Sequence, residues 1–202
     1  MATRRLGILI SGRGSNMLAI GEAIAAGRLD ATIAVVVSSR ADAPGLARAA
    51  EGGIPTAVVS PKDHPSREAC DRAIAALLRE HGVELVCLAG YMRLVTPAFV
   101  EAFPNAILNV HPSLLPAFPG LDAQHQAWTH GVKTSGATVH FVTAELDAGP
   151  IVMQAAVPVE EGDTAETLAA RILVEEHRIY PAAIARVLAG GWRIDGRRVV
   201  FG

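Results

Sequence analysis

Aromatic residues make up only 4% of this 202-residue chain, although half of its residues are hydrophobic. A core so poor in rings has to be filled by Ala, Val, Ile and Leu packed between layers, which favours an α/β arrangement around a buried parallel sheet. Cysteine is scarce too. Cys70 and Cys87 are the only two, each lies in an apolar stretch, and their spacing fits neither a disulfide framework nor a metal site. They read as buried, reduced thiols of a cytoplasmic protein. The formal charge is only −2 and no Lys/Arg cluster is dense enough to neutralise a run of phosphates, which argues against a nucleic-acid partner. No stretch approaches the roughly 18 consecutive apolar residues of a membrane span. The basic start is followed by an apolar run, Leu6 to Ile10, too short for a signal sequence, so this run reads as a first strand. There is no internal repeat and no low-complexity linker, and the length suits one domain.

What the chain does have is a rhythm. Apolar runs suited to buried strands recur at 6–10, 31–37, 56–59, 84–88 and 106–110, with helix-period segments between most of them. Between the third and fourth runs, Asp63, Pro65 and Ser66 open a helix whose apolar positions Ala69, Ala73, Ile74, Leu77 and Leu78 share one face, with Gly82 just past its end. After residue 110 the pattern changes. Residues 111–122 are rich in Pro and Gly without a period, and an ordered loop of that length is usually functional. Runs at 135–143 and 150–157 predict two strands joined by a turn. Asp163 to Glu166 predicts a capping box for a helix carried by Leu168, Ile172, Ile179 and Ala183, with Pro181 expected to kink or end it. A basic hairpin around Asp195 and Gly196 closes the chain. The fold expected is an open, mostly parallel twisted sheet with helices on both faces, Rossmann-like, with an antiparallel C-terminal extension.

Gly12-Arg13-Gly14-Ser15-Asn16 follows the first strand and opens the first helix. Backbone N–H groups at a helix start, approached closely past glycines and supplemented by Ser15 and Asn16, suit an anion. A dinucleotide fingerprint would need glycine where Met17 stands, and the Lys of a P-loop is missing, so a single phosphomonoester fits better. The other reading of this loop is a Gly-rich turn with Ser15 or Asn16 as helix cap.

The fifth strand run leads into Asn109-Val-His111-Pro. Residues two apart on a strand project to one side, and the carboxyl end of a central strand is where open α/β sheets place ligands. Ser113 lies in a Pro-bounded turn with no matching base suggested, which disfavours covalent catalysis. An amide donor beside an imidazole instead suits stabilisation of the oxyanion formed when an amine attacks a carbonyl carbon. A protonated imidazole would need an opposite charge beside it. Asp147 is a candidate, its other reading being a turn former before Gly149-Pro150. His140, inside an apolar strand run, reads as a satisfied core residue.

Together, Ile10-Ser-Gly-Arg-Gly-Ser-Asn16, Leu88-Ala-Gly-Tyr-Met-Arg93, Asn109-Val-His-Pro-Ser-Leu-Leu-Pro116, Thr138-Val-His-Phe-Val142 and Leu146-Asp-Ala-Gly-Pro150 resemble the phosphoribosylglycinamide formyltransferases over nearly the whole chain. That resemblance implies formyl transfer from 10-formyltetrahydrofolate to the amine of glycinamide ribonucleotide in purine synthesis, with no metal. It implies that Asn109 and His111 polarise the formyl carbonyl and that Asp147 keeps the imidazole protonated. It assigns Gly12, Arg13, Gly14, Ser15, Asn16 and Glu176 to the ribonucleotide. Arg67, Met92, Arg93, Leu94, Val95, Asn109, Thr143, Ala144, Glu145, Leu146 and Asp147 fall to the folate. Within a single domain, 1–105 would be the nucleotide-phosphate half and 106–202 the folate-binding and catalytic half, in a monomer or homodimer. The chain departs from the family at Gln124, where a His is frequent. His125 could replace it only if the segment shifted. Formyltetrahydrofolate deformylases and methionyl-tRNA formyltransferases share the Asn-x-His core. The phosphate loop, together with the expectation that neither an N-terminal regulatory domain nor a basic C-terminal domain is present, favours glycinamide ribonucleotide as acceptor.

Overall fold

The computed structural model describes residues 3–202, and the chain divides after Leu108 into two compact units. In the first, β1 (Arg4–Ile10) pairs in parallel with β2 (Ala31–Ser38), and β2 pairs in parallel with β3 (Thr56–Val58). On its other edge β1 pairs in parallel with β4 (Leu85–Leu88). Leu6, Ile8, Leu9 and Ile10 are fully buried, as the unbroken apolar run requires of a strand covered on both faces.

The helices of this unit are α1 (Ser15–Ala25), α2 (Pro44–Glu51), α3 (Arg67–Glu80) and α4 (Pro97–Ala102). Helix α3 begins where the sequence predicts it. The Ser66 hydroxyl accepts from Ala69 N at 3.1 Å as N-cap, and Asp63 belongs to a separate single turn, Pro61–Asp63, just upstream. Its buried face holds Cys70, Ile74, Ala75 and Leu78, and also the charged Asp71. Both cysteines are free and buried.

Strand β5 (Ile107–His111) contains the division point. The second unit continues through α5 (Ala123–Thr129), β6 (Thr134–Phe141), β7 (Ile151–Pro158), α6 (Ala165–Leu188), β8 (Trp192–Asp195) and β9 (Arg198–Phe201). β6 and β7 form an antiparallel pair, β9 lies parallel to β7, and β8 closes antiparallel on β9 around the turn that begins at Gly196. The hydrogen-bonded strand order is β3-β2-β1-β4-β5-β6-β7-β9-β8, a mostly parallel sheet with helices on both faces and an antiparallel end.

Two local expectations need correction. The box that starts α6 is formed by Thr164 and Thr167, not by Asp163 and Glu166. Thr167 N donates to the Thr164 hydroxyl at 3.3 Å and Thr164 N to the Thr167 hydroxyl at 2.9 Å. Asp163 is unavailable as a cap because it takes two bonds from Arg171, at 2.7 and 2.9 Å, one from Glu160 N at 2.7 Å and one from the Thr167 hydroxyl at 2.8 Å. Nor does Pro181 end the helix, which runs for 24 residues through it. A proline removes one intrahelical bond, but Leu168, Ile172, Ile179, Pro181, Ala183 and Ile184 are all buried, and α6 packs on β6 and β7. Packing of that face outweighs the local defect.

Candidate active site

The loop after β1 is fixed before any ligand is considered. Ser11 N donates to Gly90 O at 3.0 Å, and the Ser11 hydroxyl lies 2.8 Å from the Ser39 hydroxyl while accepting from Met92 N at 3.0 Å. Gly45 N donates to Gly12 O at 3.1 Å, and Arg48 Nη1 to Arg13 O at 3.2 Å. Gly14 takes a left-handed conformation, φ 70°, as the residue before α1, and a Cβ there would lie 3.2 Å from the Gly45 backbone. Glycine supplies that conformation without strain. Ser15 and Asn16 are the first residues of the helix rather than its caps, and no side chain caps α1. The reading of this loop as a side-chain-capped turn therefore fails, and the helix start keeps the character of an anion cradle. Arg13 is exposed beside it.

In the second unit, Asn109 and His111 at the end of β5 meet Asp147, as the resemblance implies. The His111 ring is buried. Its Nδ1 lies 3.5 Å from Asp147 Oδ2, and its Nε2 lies 2.9 Å from the Phe118 carbonyl, so an acceptor faces each ring nitrogen. Asp147 sits in left-handed backbone, φ 48°, and its Oδ2 also accepts from Gly120 N at 2.8 Å. Phe118, φ 53°, is left-handed as well, and its ring leans on His130 at a centroid separation of 5.2 Å. The Ser113 hydroxyl donates to Ala117 O at 2.6 Å, which ties it to the loop.

His140 belongs to this cluster, although no local pattern of residues signals it. It is a core residue, only 2% exposed, but Asn109 Nδ2 lies 3.2 Å from its Nε2, and Asp147 Oδ1 lies 3.7 Å from the same nitrogen. Its Nδ1 lies 2.9 Å from the Phe141 carbonyl, an acceptor only, so Nδ1 carries the hydrogen. Nε2 is then the acceptor and Asn109 the donor. Burial holds the His140 pKa below the usual histidine value, against the raising effects of the Phe141 carbonyl and Asp147, which keeps the ring neutral. A neutral, tautomer-fixed imidazole thus sets which way the Asn109 amide points. The signal that could have revealed it is the neighbouring position of β5 and β6 in the sheet, which is a property of the fold and not of any local motif.

The remaining expected residues fall as follows. Met92 and Leu94 stand out at 69% and 54% exposure on a segment with no regular structure, and Arg67 Nη2 donates to Leu94 O at 3.1 Å. Arg93 and Val95 are half-buried. The loop between β6 and β7 exposes Ala144, Glu145 and Leu146, while the Thr143 hydroxyl donates to Glu145 O at 3.3 Å. That loop is stapled at its base. Phe141 N donates to Pro150 O at 2.9 Å, and a Cβ added to Gly149 would overlap the Phe141 carbonyl. Glu176 is buried on α6, only 7% exposed. His125 is exposed with its ring 5.9 Å from that of Trp128, whereas Gln124 is half-buried. The two are successive positions in α5, so they face about 100° apart. Among the described residues, no group of three or more His, Cys, Asp and Glu could hold a metal ion, and no helix is long and apolar enough to cross a membrane.

A Rossmann-like sheet carrying an amide, an imidazole and a carboxylate at one strand end suits acyl-type transfer without a covalent intermediate. The chain belongs to the formyl transferase family, whose model matches residues 4–184. It is 44% identical over 190 residues to the phosphoribosylglycinamide formyltransferase of Escherichia coli strain K12, covering 94% of this chain and 87% of that protein. It is also 44% identical over 190 residues to the trifunctional purine biosynthetic protein adenosine-3 of Bos taurus. That match covers 94% of this chain but only 19% of the length of the trifunctional relative. Among solved structures, it is similar to glycinamide ribonucleotide transformylase 1 from Symbiobacterium toebii, with a TM-score of 0.97 and 58% identity over 98% of this chain and 94% of that one.

Proposed function

We propose that this chain transfers the formyl group of 10-formyltetrahydrofolate to the amine of N1-(5-phospho-D-ribosyl)glycinamide, giving formylglycinamide ribonucleotide and tetrahydrofolate in purine synthesis. The observation that carries this reading is the gathering of Asn109, His111 and Asp147 around His140, with Asn109 bonded to His140 and Asp147 within 3.5 Å of His111 and 3.7 Å of His140. Sequence similarity to the Escherichia coli formyltransferase along almost the whole chain supports it.

The amine lone pair attacks the formyl carbon, and the carbonyl π pair moves onto oxygen. Asn109 retains a second amide hydrogen after its bond to His140 and directs it at that oxygen, while the His111 ring supplies a further hydrogen. The formyl oxygen takes the place of the Phe118 carbonyl at His111 Nε2. Asp147 beside Nδ1 stabilises the imidazolium. Collapse re-forms the carbonyl, breaks the bond to the folate nitrogen, and passes the proton of the attacking nitrogen to that nitrogen. No bond to the protein forms.

Gly12 to Asn16 hold the ribonucleotide phosphate and Glu176 its ribose or glycinamide part. Arg67, the Met92–Val95 segment and the Thr143–Asp147 loop hold the folate. Residues 1–105 thus serve as the nucleotide-phosphate half and 106–202 as the folate and catalytic half. The protein works in the cytoplasm as a monomer or homodimer, without nucleic acid, membrane or metal.

Purified protein given both substrates should release tetrahydrofolate only when the amine is present. Folate release at the same rate in water alone would instead assign the chain to deformylation.

A further inference from the structure

We infer that Asp71 is a positioning residue for the reduced folate, acting with Arg67 from one face of α3 to fix the backbone of residues 94–96. The inference rests on the reading of Met92–Val95 as a folate-binding segment.

Asp71 is 3% exposed in a helix face otherwise made of Cys70, Ile74, Ala75 and Leu78. Burying a carboxylate there is costly unless a specific partner compensates, and a leucine would fill the space without that cost. The partner is the backbone of the following loop. Thr96 N donates to Asp71 Oδ2 at 2.7 Å, the short distance of a charge-assisted bond. Arg67 lies one helical turn earlier, where residues four apart share a face, and its Nη2 donates to Leu94 O at 3.1 Å. One carboxylate and one guanidinium thereby grip an amide and a carbonyl two residues apart.

The grip falls where secondary structure supplies none. Residues 91–96 belong to no helix or strand, yet three further contacts make their course definite. Met92 N donates to the Ser11 hydroxyl at 3.0 Å, Gly90 O accepts from Ser11 N, and the Thr96 hydroxyl caps α4 by accepting from Phe99 N at 3.4 Å. Between these anchors Met92 and Leu94 project their apolar side chains outward. An exposed apolar pair on an irregular backbone stays ordered only if the backbone is tied down. The Asp71 and Arg67 bonds do that on the C-terminal side, leaving the segment's own donors and acceptors in fixed directions. A flat heterocycle read by backbone groups needs that rigidity, and its affinity falls when the backbone must be ordered on binding. Neither residue is assigned a part in the formyl chemistry.

The test combines amide exchange with steady-state kinetics on the intact chain. In the wild type the Thr96 amide should exchange at least about tenfold more slowly than an unprotected amide, although it lies in no regular element. Asp71→Ala should abolish that protection and raise KM for 10-formyltetrahydrofolate about tenfold, as expected for loss of a bond to a charged group. KM for the ribonucleotide and kcat should stay within about twofold, and Asp71→Asn, which keeps an acceptor oxygen, should recover most of the folate KM. An unprotected Thr96 amide in the wild type overturns the proposal without need of any variant. So does an Asp71→Ala protein with unchanged folate KM, or one in which both substrates weaken alike, the mark of a purely structural role. A wild type that shows no amine-dependent turnover sinks the functional reading, and this proposal with it. Normal wild-type turnover with an unmoved folate KM sinks this proposal alone.

Discussion

Asp147 combines a left-handed backbone with a carboxylate shared between His111 Nδ1 and Gly120 N. Replacing it with Asn keeps the shape and removes the charge. Turnover at neutral pH should fall by about 10²-fold or more, the usual worth of an acid–base group, while ribonucleotide binding changes little. Equal losses in kcat and in ribonucleotide affinity, measured by steady-state kinetics and titration, would contradict the role. His140 predicts a pH effect of definite sign. Its folded pKa lies below the unfolded value of 6.5, so as pH falls through the unfolded value the unfolded chain binds a proton that the native chain refuses. Stability should therefore drop on acidification below about pH 6.5 and level off below the folded pKa. A His140→Asn variant should lose that part of the slope in urea unfolding compared between about pH 7.5 and about pH 5.5. Asn109 and His111 were legible because alternation on a strand puts them on one side. His140 was not, because a single histidine in an apolar strand looks the same whether or not a neighbouring strand offers it an amide.

At the scale of the element, strands and helix α3 were readable because period and capping agree there. The start of α6 was misread by one residue. Asp, Thr and Glu all satisfy the type preferences of a capping box, and the bonds that Asp163 takes from Arg171, Glu160 N and the Thr167 hydroxyl decide between the registers. Thr164→Ala should cost about 1 kcal/mol in chemical denaturation, in the range of lost N-caps. A null effect would mean that the bonds of Asp163 alone hold the helix start. Residues 112–122 carried no period because their order comes from side chain to backbone bonds between distant positions. Leu115 N donates to the Thr138 hydroxyl at 3.0 Å, that hydroxyl donates to Ser113 O at 2.7 Å, and Gln154 Nε2 donates to Leu115 O at 2.9 Å. No local reading of Pro and Gly content could supply such partners.

For the whole molecule, the composition already implied a ring-poor α/β protein, and the strand order carries out that implication with a buried aliphatic sheet. The proposed chemistry uses only amide, imidazole and carboxylate groups, so amine-dependent turnover should survive exhaustive treatment with a chelator. A loss restored by one added metal would require a different mechanism. Gly149, pressed against the Phe141 carbonyl, bears on how the proposed folate loop could adapt to a different donor. Gly149 at the base of the 142–149 loop leaves no room for a side chain, whereas the tip at Ala144, Glu145 and Leu146 is open to solvent. Selection can therefore rewrite the tip to suit a new donor while Asp147 stays moored, and a substitution library should show that division as free variation at three positions beside one that accepts only glycine.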